Sequence, residues 1–167
     1  MSAAVRERDR VRPVEERPRT PGHAATVASF VMDLDEARAF LRDNHQAVMA
    51  TFRRDGRPQL SVLSCGVDDE GRVVVSSRET AAKVKNLRRD QRVSLCLMGN
   101  EFYGRWIQVD GQATVVSLPE AMEPLVDYYR RLAGEHPDWD EYRAAMEKER
   151  RVLVRIDIER AGLDRHG

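Results

Sequence analysis

The sequence has few of the features that mark secreted, membrane or nucleic-acid-binding proteins. It contains only two cysteines, Cys65 and Cys96, both in apolar, strand-like runs, so a domain built on disulfides is unsupported. No apolar run approaches the roughly 20 residues that a membrane-spanning helix needs. The 28 basic and 28 acidic residues cancel, so the whole chain has no net charge to attract nucleic acid or an anionic membrane. We therefore expect a soluble protein of the reducing cytoplasm.

The short motifs of several large enzyme classes are also missing. There is no GxGxxG after a strand, no GxxxxGK followed by Ser or Thr, no HExxH, no CxxC and no GxSxG. These absences disfavour nicotinamide Rossmann enzymes, P-loop phosphotransferases, zincins and α/β-hydrolases. The four histidines are scattered along the chain, so we expect no metal site.

The length of 167 residues suits one domain with a tail. The first 22 residues hold six arginines, four acids and three prolines but, apart from Met1, only three large apolar side chains, all valines. Such a segment buries too little surface to offset the entropy of ordering. We predict a disordered arm over residues 1–28, a folded domain over 29–160 and a tail over 161–167. A basic arm for nucleic acid or a partner is less favoured, because its acids dilute the charge.

Periodicity and turn signals predict a mainly β domain with peripheral helices. Strict alternation, or short apolar runs bounded by turn residues, indicates six antiparallel strands near residues 46–54, 57–68, 72–77, 92–98, 105–117 and 151–158. Helical spacing indicates helices near residues 33–41, 79–90, 119–133 and 138–150. Six short strands with few helices favour a small antiparallel barrel, which leaves no exposed sheet edges.

Particular residues predict where these elements begin, turn and bend. Asp33 and Asp138 each precede a helical pattern with Glu three residues later, the spacing of a capping box. Pro119 suits the first turn of a helix. Asp55-Gly56 tolerates positive φ at both turn positions and predicts a hairpin between the first two strands. Gly111 lies near the middle of the fifth strand, where a bulge would let the strand curl around a barrel.

Polar and basic residues are predicted to meet at one corner of this fold. Ser76 and Ser77 end the third strand, and the helix that follows begins near Thr80 and carries Lys83. Hydroxyls, first-turn amides and the ammonium could converge there on an anion such as a phosphate. The alternative is that the basic residues form a solvated helix face and the serines are exposed strand ends. Spacing alone leaves both open.

Three stretches carry a resemblance to a known family: DGRPQLS, KVKNLRRDQRVS and YYRRLAGEHPDWDEYRAAMEKERRVLVRI. They resemble the pyridoxamine 5′-phosphate oxidase-like, FMN-binding split β-barrel superfamily. The likeness is greatest to its actinobacterial branch, the F420-dependent flavin/deazaflavin oxidoreductases of group B. It runs from about Asp35 to Ile158. It implies a six-stranded, Greek-key split β-barrel and a homodimer with coenzyme F420 in the groove between the two barrels.

The resemblance also implies which residues bind the cofactor. Lys83 matches the family's phosphate-binding lysine. Many relatives have an arginine two residues before it, where this chain has Ala81, and Arg78 is a candidate replacement for that charge. Tyr103 and Trp106 match aromatic residues beside the ring or the substrate pocket. The other implied contacts are Gln59, Ser61, Ser76 and Ser77, with Arg57, Val62, Leu63, Lys85 and Asn86 as second choices.

The resemblance implies an oxidoreductase that moves a hydride from reduced F420 to an activated C=C or C=N bond of a small conjugated molecule. Positioning then carries most of the catalysis. Tyr103 is a candidate proton donor, although the more conservative expectation is that no side chain is indispensable to the chemical step. One alternative is an FMN-binding oxidase or reductase of the same fold. Another is a non-catalytic protein that binds a flavin, deazaflavin or haem.

Overall fold

The structure is a computed structural model that describes residues 32–101 and 103–162, together with the backbone of residues 165–166. The arm predicted over residues 1–28 lies outside the described residues. The described helices are α1 (Leu34–Asp43), α2 (Ala82–Leu87), α3 (Met122–Ala133) and α4 (Trp139–Lys148). The described strands are β1 (Gln46–Phe52), β2 (Pro58–Ser64), β3 (Gly66–Val67), β4 (Val73–Arg78), β5 (Arg92–Met98), β6 (Arg105–Val116), β7 (Arg151–Ala161) and β8 (Arg165–His166). None of these helices is long and apolar enough to cross a membrane.

The strands form one antiparallel sheet in the order β2-β1-β5-β6-β7-β4-β3, and β8 pairs with β6. Because β4 lies beside β7, strands β4 to β7 make a Greek key. The strands at the two ends of the order, β2 and β3, are separated along the chain only by Cys65. The sheet therefore curls round into a half-barrel. This confirms the predicted mainly β, antiparallel architecture.

The prediction of six strands is wrong, because the described part of the chain has eight. The run over residues 57–68, predicted as one strand, breaks at the fully buried Cys65 into β2 and β3. The Cys65 amide donates to the carbonyl of His45 (2.8 Å), which turns the chain there. As a result β4 pairs with β3 and β7 instead of continuing a meander from β2. The second additional strand, β8, lies in the segment predicted as a tail.

Two apolar clusters hold the helices on the sheet. The larger lies between α1 and the concave face of the half-barrel, and it includes the fully buried Leu41, Met49, Leu95 and Ile107. The smaller lies where α3 and α4 cover the other side of β4 and β7. Full burial of one such aliphatic side chain contributes about 1.5–3 kcal/mol. Packing in these two clusters therefore holds α1, α3 and α4 against the sheet.

The predicted turn and cap residues act mostly as expected. Asp33 and Asp138 accept hydrogen bonds from the first-turn amides of α1 and α4. The hairpin at residues 55–56 forms, although only Gly56 has positive φ. The prediction for Pro119 is wrong: it lies in the turns that precede α3, which begins at Met122. Helix α2 is shorter than predicted and has no side-chain cap.

Candidate functional site

A basic corner lies where β4 ends and where α2 and β7 begin. Lys83 is in the first turn of α2 and is half-buried. Burial, and secondly the positive charge of Arg151 at the start of β7, lower the pKa of the Lys83 ammonium. Within the described residues Lys83 has no acidic partner. A half-buried cation next to a second cation is a site that an anion would stabilise.

Arg151 is a member of this corner that the sequence reasoning missed. It lies directly across the β4–β7 ladder from Arg78. Glu149 accepts from both, at 2.7 Å from the Arg151 Nη2 and 3.3 Å from the Arg78 Nε. These contacts, from Arg151 first and Arg78 second, lower the pKa of Glu149. Two arginines sharing one carboxylate leave a net positive charge beside Lys83, and no motif in the sequence indicates that pairing.

Two of the predicted cofactor-binding residues are brought together on β2. The Gln59 amide nitrogen donates to the Ser61 hydroxyl oxygen (2.9 Å), since residues two apart on a strand share a face. The Gln59 amide oxygen accepts from the fully buried Thr51 hydroxyl (3.1 Å). Thr51 in turn accepts from Asn86 of α2 (3.1 Å). Asn86, predicted as a second-choice cofactor contact, is therefore occupied inside the protein.

The two serines at the end of β4 are not brought together. Consecutive residues of a strand point to opposite faces. Ser77 is buried on the face that carries Val73 and Val75 into the larger core. Ser76 follows Val74, whose side chain packs in the smaller cluster with α3 and α4. Convergence of both hydroxyls on one anion was one of the two interpretations that the sequence left open, and the regular strand geometry directs only Ser77 toward the larger core.

The same alternation separates the second-choice residues. Val62 is 83% exposed, whereas Leu63 packs against the larger core. Arg57 lies exposed beyond the β1–β2 turn, 3.8 Å from the Asp55 carboxylate. Lys85 is exposed on α2. The residues assigned by resemblance therefore divide into side chains that face the interior, such as Leu63 and Asn86, and exposed side chains on β2 and α2, such as Val62 and Lys85.

The two predicted aromatic residues line a separate cleft of about 490 Å³. Trp106 lies across from Met98, which lies across from Gln46, and all three line it with the exposed Tyr103. The half-buried Cys96 also lines this cleft, and burial raises the pKa of its thiol, as befits an unreactive cysteine. The apolar wall of the cleft suits a flat conjugated ring.

The cleft and the basic corner lie at opposite ends of β1. Gln46 borders the cleft and Thr51 contacts α2, so about 17 Å of strand separates the two ends. Among the described residues no group of His, Cys, Asp or Glu side chains is arranged to hold a metal ion. The corner offers cations and the cleft offers aromatic surface, which are the two requirements of an anionic redox cofactor with a flat ring.

Comparison with protein families gives one decisive finding. The family model described as pyridoxamine 5′-phosphate oxidase matches residues 34–163. The chain belongs to this family. The resemblance read from the sequence is confirmed at that level, and the match spans every described helix and every strand except β8.

Relatives in the family include proteins of known name. The chain is 25% identical over 126 residues to a biliverdin reductase from Mycobacterium tuberculosis that depends on reduced F420, covering 75% of this chain and 84% of that protein. A solved structure of a conserved hypothetical protein from the same species has a TM-score of 0.67 and 30% identity, over 83% of this chain and 88% of the other. A solved F420 reductase has a TM-score of 0.58 and 19% identity, over 75% and 94%, and shows the fold alone.

Proposed function

We propose that this chain is an oxidoreductase that uses reduced F420 to reduce an activated C=C or C=N bond in a small conjugated molecule. The observation that carries the proposal is the corner at Lys83 and Arg151, where a half-buried ammonium without an acidic partner among the described residues lies near a second cation. Coenzyme F420 has a phosphate and an acidic tail, so such a corner suits it. The relative that depends on reduced F420 supports the same cofactor.

Each part of the site has a role in this proposal. Lys83 binds the anionic group, Ser61 hydrogen-bonds the ring, and Trp106 forms the apolar wall beside the ring or the substrate. When bound, reduced F420 would supply a hydride to the substrate, and water or the Tyr103 hydroxyl would supply the proton that completes the two-electron reduction. The protein contributes mainly by holding donor and acceptor in contact and excluding water.

FMN is the second candidate cofactor, and Ala81 is the observation that favours it. Many F420-dependent relatives have an arginine at this position, and here Arg78, the candidate replacement, shares Glu149 with Arg151. A corner with fewer free cations suits a single phosphate better than a phosphate with an acidic tail. The reaction would then be that of an FMN-dependent oxidase or reductase.

Equilibrium binding with both cofactors tests the proposal. We expect saturable binding of coenzyme F420, followed by oxidation of the reduced cofactor when quinones, enones or tetrapyrroles are added without oxygen. Tight binding of FMN with none of F420 would overturn the cofactor assignment. Binding of F420 without turnover across the panel would overturn the enzymatic assignment and favour a binding protein.

We further propose that the protein is a homodimer formed through the outer face of β2. Leu60 and Val62 are 64% and 83% exposed there, although large aliphatic side chains are usually buried. β2 is also an end strand of the sheet, and among the described strands only β1 pairs with it. A second copy on this face would cover the apolar side chains. Residues from both copies could then complete one cofactor groove, because within one copy the aromatic cleft and the basic corner lie at opposite ends of β1.

Val62→Asp is expected to raise the dimer dissociation constant about 100-fold, because an unpaired carboxylate would be buried at the interface. Sedimentation velocity across a concentration series measures the change. The matched control is Thr114→Asp, which places the same charge at an exposed position on β6. A Val62→Asp protein that dimerises as the wild type does would place the interface elsewhere.

A further inference from the structure

Five polar side chains link α2 to β2 through β1. The Arg89 guanidinium donates to the Asn86 amide oxygen (3.3 Å), and the Asn86 amide nitrogen donates to the Thr51 hydroxyl (3.1 Å). Thr51 then donates to the Gln59 amide oxygen (3.1 Å), and the Gln59 amide nitrogen donates to the Ser61 hydroxyl oxygen (2.9 Å). We call this continuous series the 89–61 chain.

Two groups fix the bond directions in the 89–61 chain: the Arg89 guanidinium at one end and, at the other, the backbone oxygen of Leu60, which accepts from the Gln59 amide nitrogen (2.6 Å). A guanidinium has only donors, so the oxygen of Asn86 must face it and the amino group must face Thr51. A hydroxyl has one hydrogen, and when the Thr51 oxygen accepts from Asn86 that hydrogen is left for Gln59. The Gln59 amide is therefore oriented with its amino group toward Ser61.

The buried position of the 89–61 chain indicates a role other than packing. Thr51 is fully buried and Asn86 is 8% exposed, and together with Ser77 they are the buried polar residues of the described part of the chain. A buried polar side chain costs free energy unless all its partners are in place. Valine at position 51 would fill nearly the same volume without that requirement.

The 89–61 chain also helps to hold α2, the helix that carries Lys83, against the sheet. Helix α2 has six residues and no side-chain cap, so it depends on tertiary contacts for its position. Asn86 and Arg89 supply such contacts, since Arg89 also donates to the backbone oxygen of Phe52. The Arg89 bond to Phe52 holds the end of α2 on β1 without Thr51, so the Thr51 hydroxyl bears mainly on the orientation of Gln59.

We propose that Thr51 is a positioning residue that makes Ser61 a hydrogen-bond donor to the bound cofactor. The Ser61 oxygen already accepts from Gln59, and among the described residues its hydrogen has no acceptor. The Ser61 hydrogen is therefore available to an acceptor on the ligand, such as a carbonyl oxygen or a ring nitrogen without hydrogen. This inference rests on the proposed function.

Binding of coenzyme F420 and of FMN to the full-length chain, measured well below the melting temperature, tests the proposal. Ser61→Ala removes the terminal donor and Thr51→Val breaks the chain at constant volume, and each is expected to weaken binding by about three- to tenfold. Thr51→Ser keeps the hydroxyl and should restore wild-type affinity. If Thr51→Val fails to fold, Thr51→Ala serves instead, because it also removes the hydroxyl and changes no charge.

The combined variant Thr51→Val/Ser61→Ala separates positioning from a general structural effect. If Thr51 acts through Ser61, the double variant binds no more weakly than Ser61→Ala alone, whereas independent effects multiply. Multiplied effects, or unchanged affinity in Thr51→Val or in its substitute Thr51→Ala, would overturn the inference while leaving the proposed function intact. Wild-type protein that binds neither cofactor would overturn both.

Discussion

Replacing Lys83 with alanine is expected to weaken binding of coenzyme F420 by roughly 10- to 150-fold, the loss of ~1.5–3 kcal/mol from a charge-assisted hydrogen bond. The ammonium is half-buried near Arg151 and has no acidic partner within the described residues. An anionic ligand would be its first strong partner, so the whole interaction appears in the binding constant. Fluorescence titration of the purified variant measures the change.

Stability should respond differently from binding in this variant. Burial, and then the charge of Arg151, lower the pKa of Lys83 in the folded state, so its charged form is less favourable folded than unfolded. Removing it should leave the melting temperature unchanged or slightly higher. Lys85→Ala is the matched control, because Lys85 is exposed on the same helix. Equal losses of affinity in both variants would show only a general electrostatic effect, and no loss at Lys83 would place the anion elsewhere.

The lowered pKa also predicts how affinity depends on pH. The cofactor-free wild type loses the Lys83 proton at a lower pH than an ordinary lysine does. Affinity should therefore decline as pH rises through that lowered pKa, and Lys83→Ala should lack this decline. Titrations of both proteins across the alkaline range, at constant ionic strength, distinguish the two profiles.

Gly111→Ala is expected to destabilise the fold by about 3 kcal/mol or more, because it overpacks a site bounded by backbone. A Cβ at this position would clash with the carbonyl oxygen of Asp157 on the neighbouring strand. The register of β6 and β7 shifts between Asp110 and Gly111, and this bulge brings the two backbones together. Neither strand can move without disturbing the ladder on both sides.

Thermal unfolding measures this effect, and a fall in melting temperature of about 10 °C is expected. Gly162→Ala is the matched control, because its added Cβ would meet only ordinary contacts, the nearest at 3.5 Å from the Gln108 Cβ. If Gly111→Ala melts at the same temperature as Gly162→Ala, the bulge relaxes at little cost. The close approach of the two backbones would then not be the reason for a glycine at position 111.

Several elements could be predicted because their signals are local. Asp33 and Asp138 cap helices because a side-chain oxygen reaches amides two and three residues away. Gly56 provides the positive φ of a tight turn, and Gly111 marks the bulge. The pattern of apolar residues likewise predicted every long strand. In each case the determining atoms lie within a few residues of one another, so the sequence alone contains the information.

The candidate site was predicted only in part, because only some of its contacts depend on residues close together in the sequence. The closeness of Gln59 and Ser61 follows from strand alternation, and Lys83 follows from the family motif. Sequence reasoning nevertheless grouped Ser76 with Ser77, which strand alternation places on opposite faces. Arg151 and Thr51 had no local signal, since each contributes by meeting residues far away along the chain.

By itself, the sequence determined the class of the fold, the positions of its long strands and the family to which the chain belongs. The tertiary structure decided where the second predicted strand breaks, at Cys65, and which strand pairs with β4. It also decided that Arg151 joins the basic corner and that Thr51 links α2 to β2. Local conformation depends on neighbours in sequence, whereas strand order, burial and the meeting of distant charges depend on how the whole chain packs.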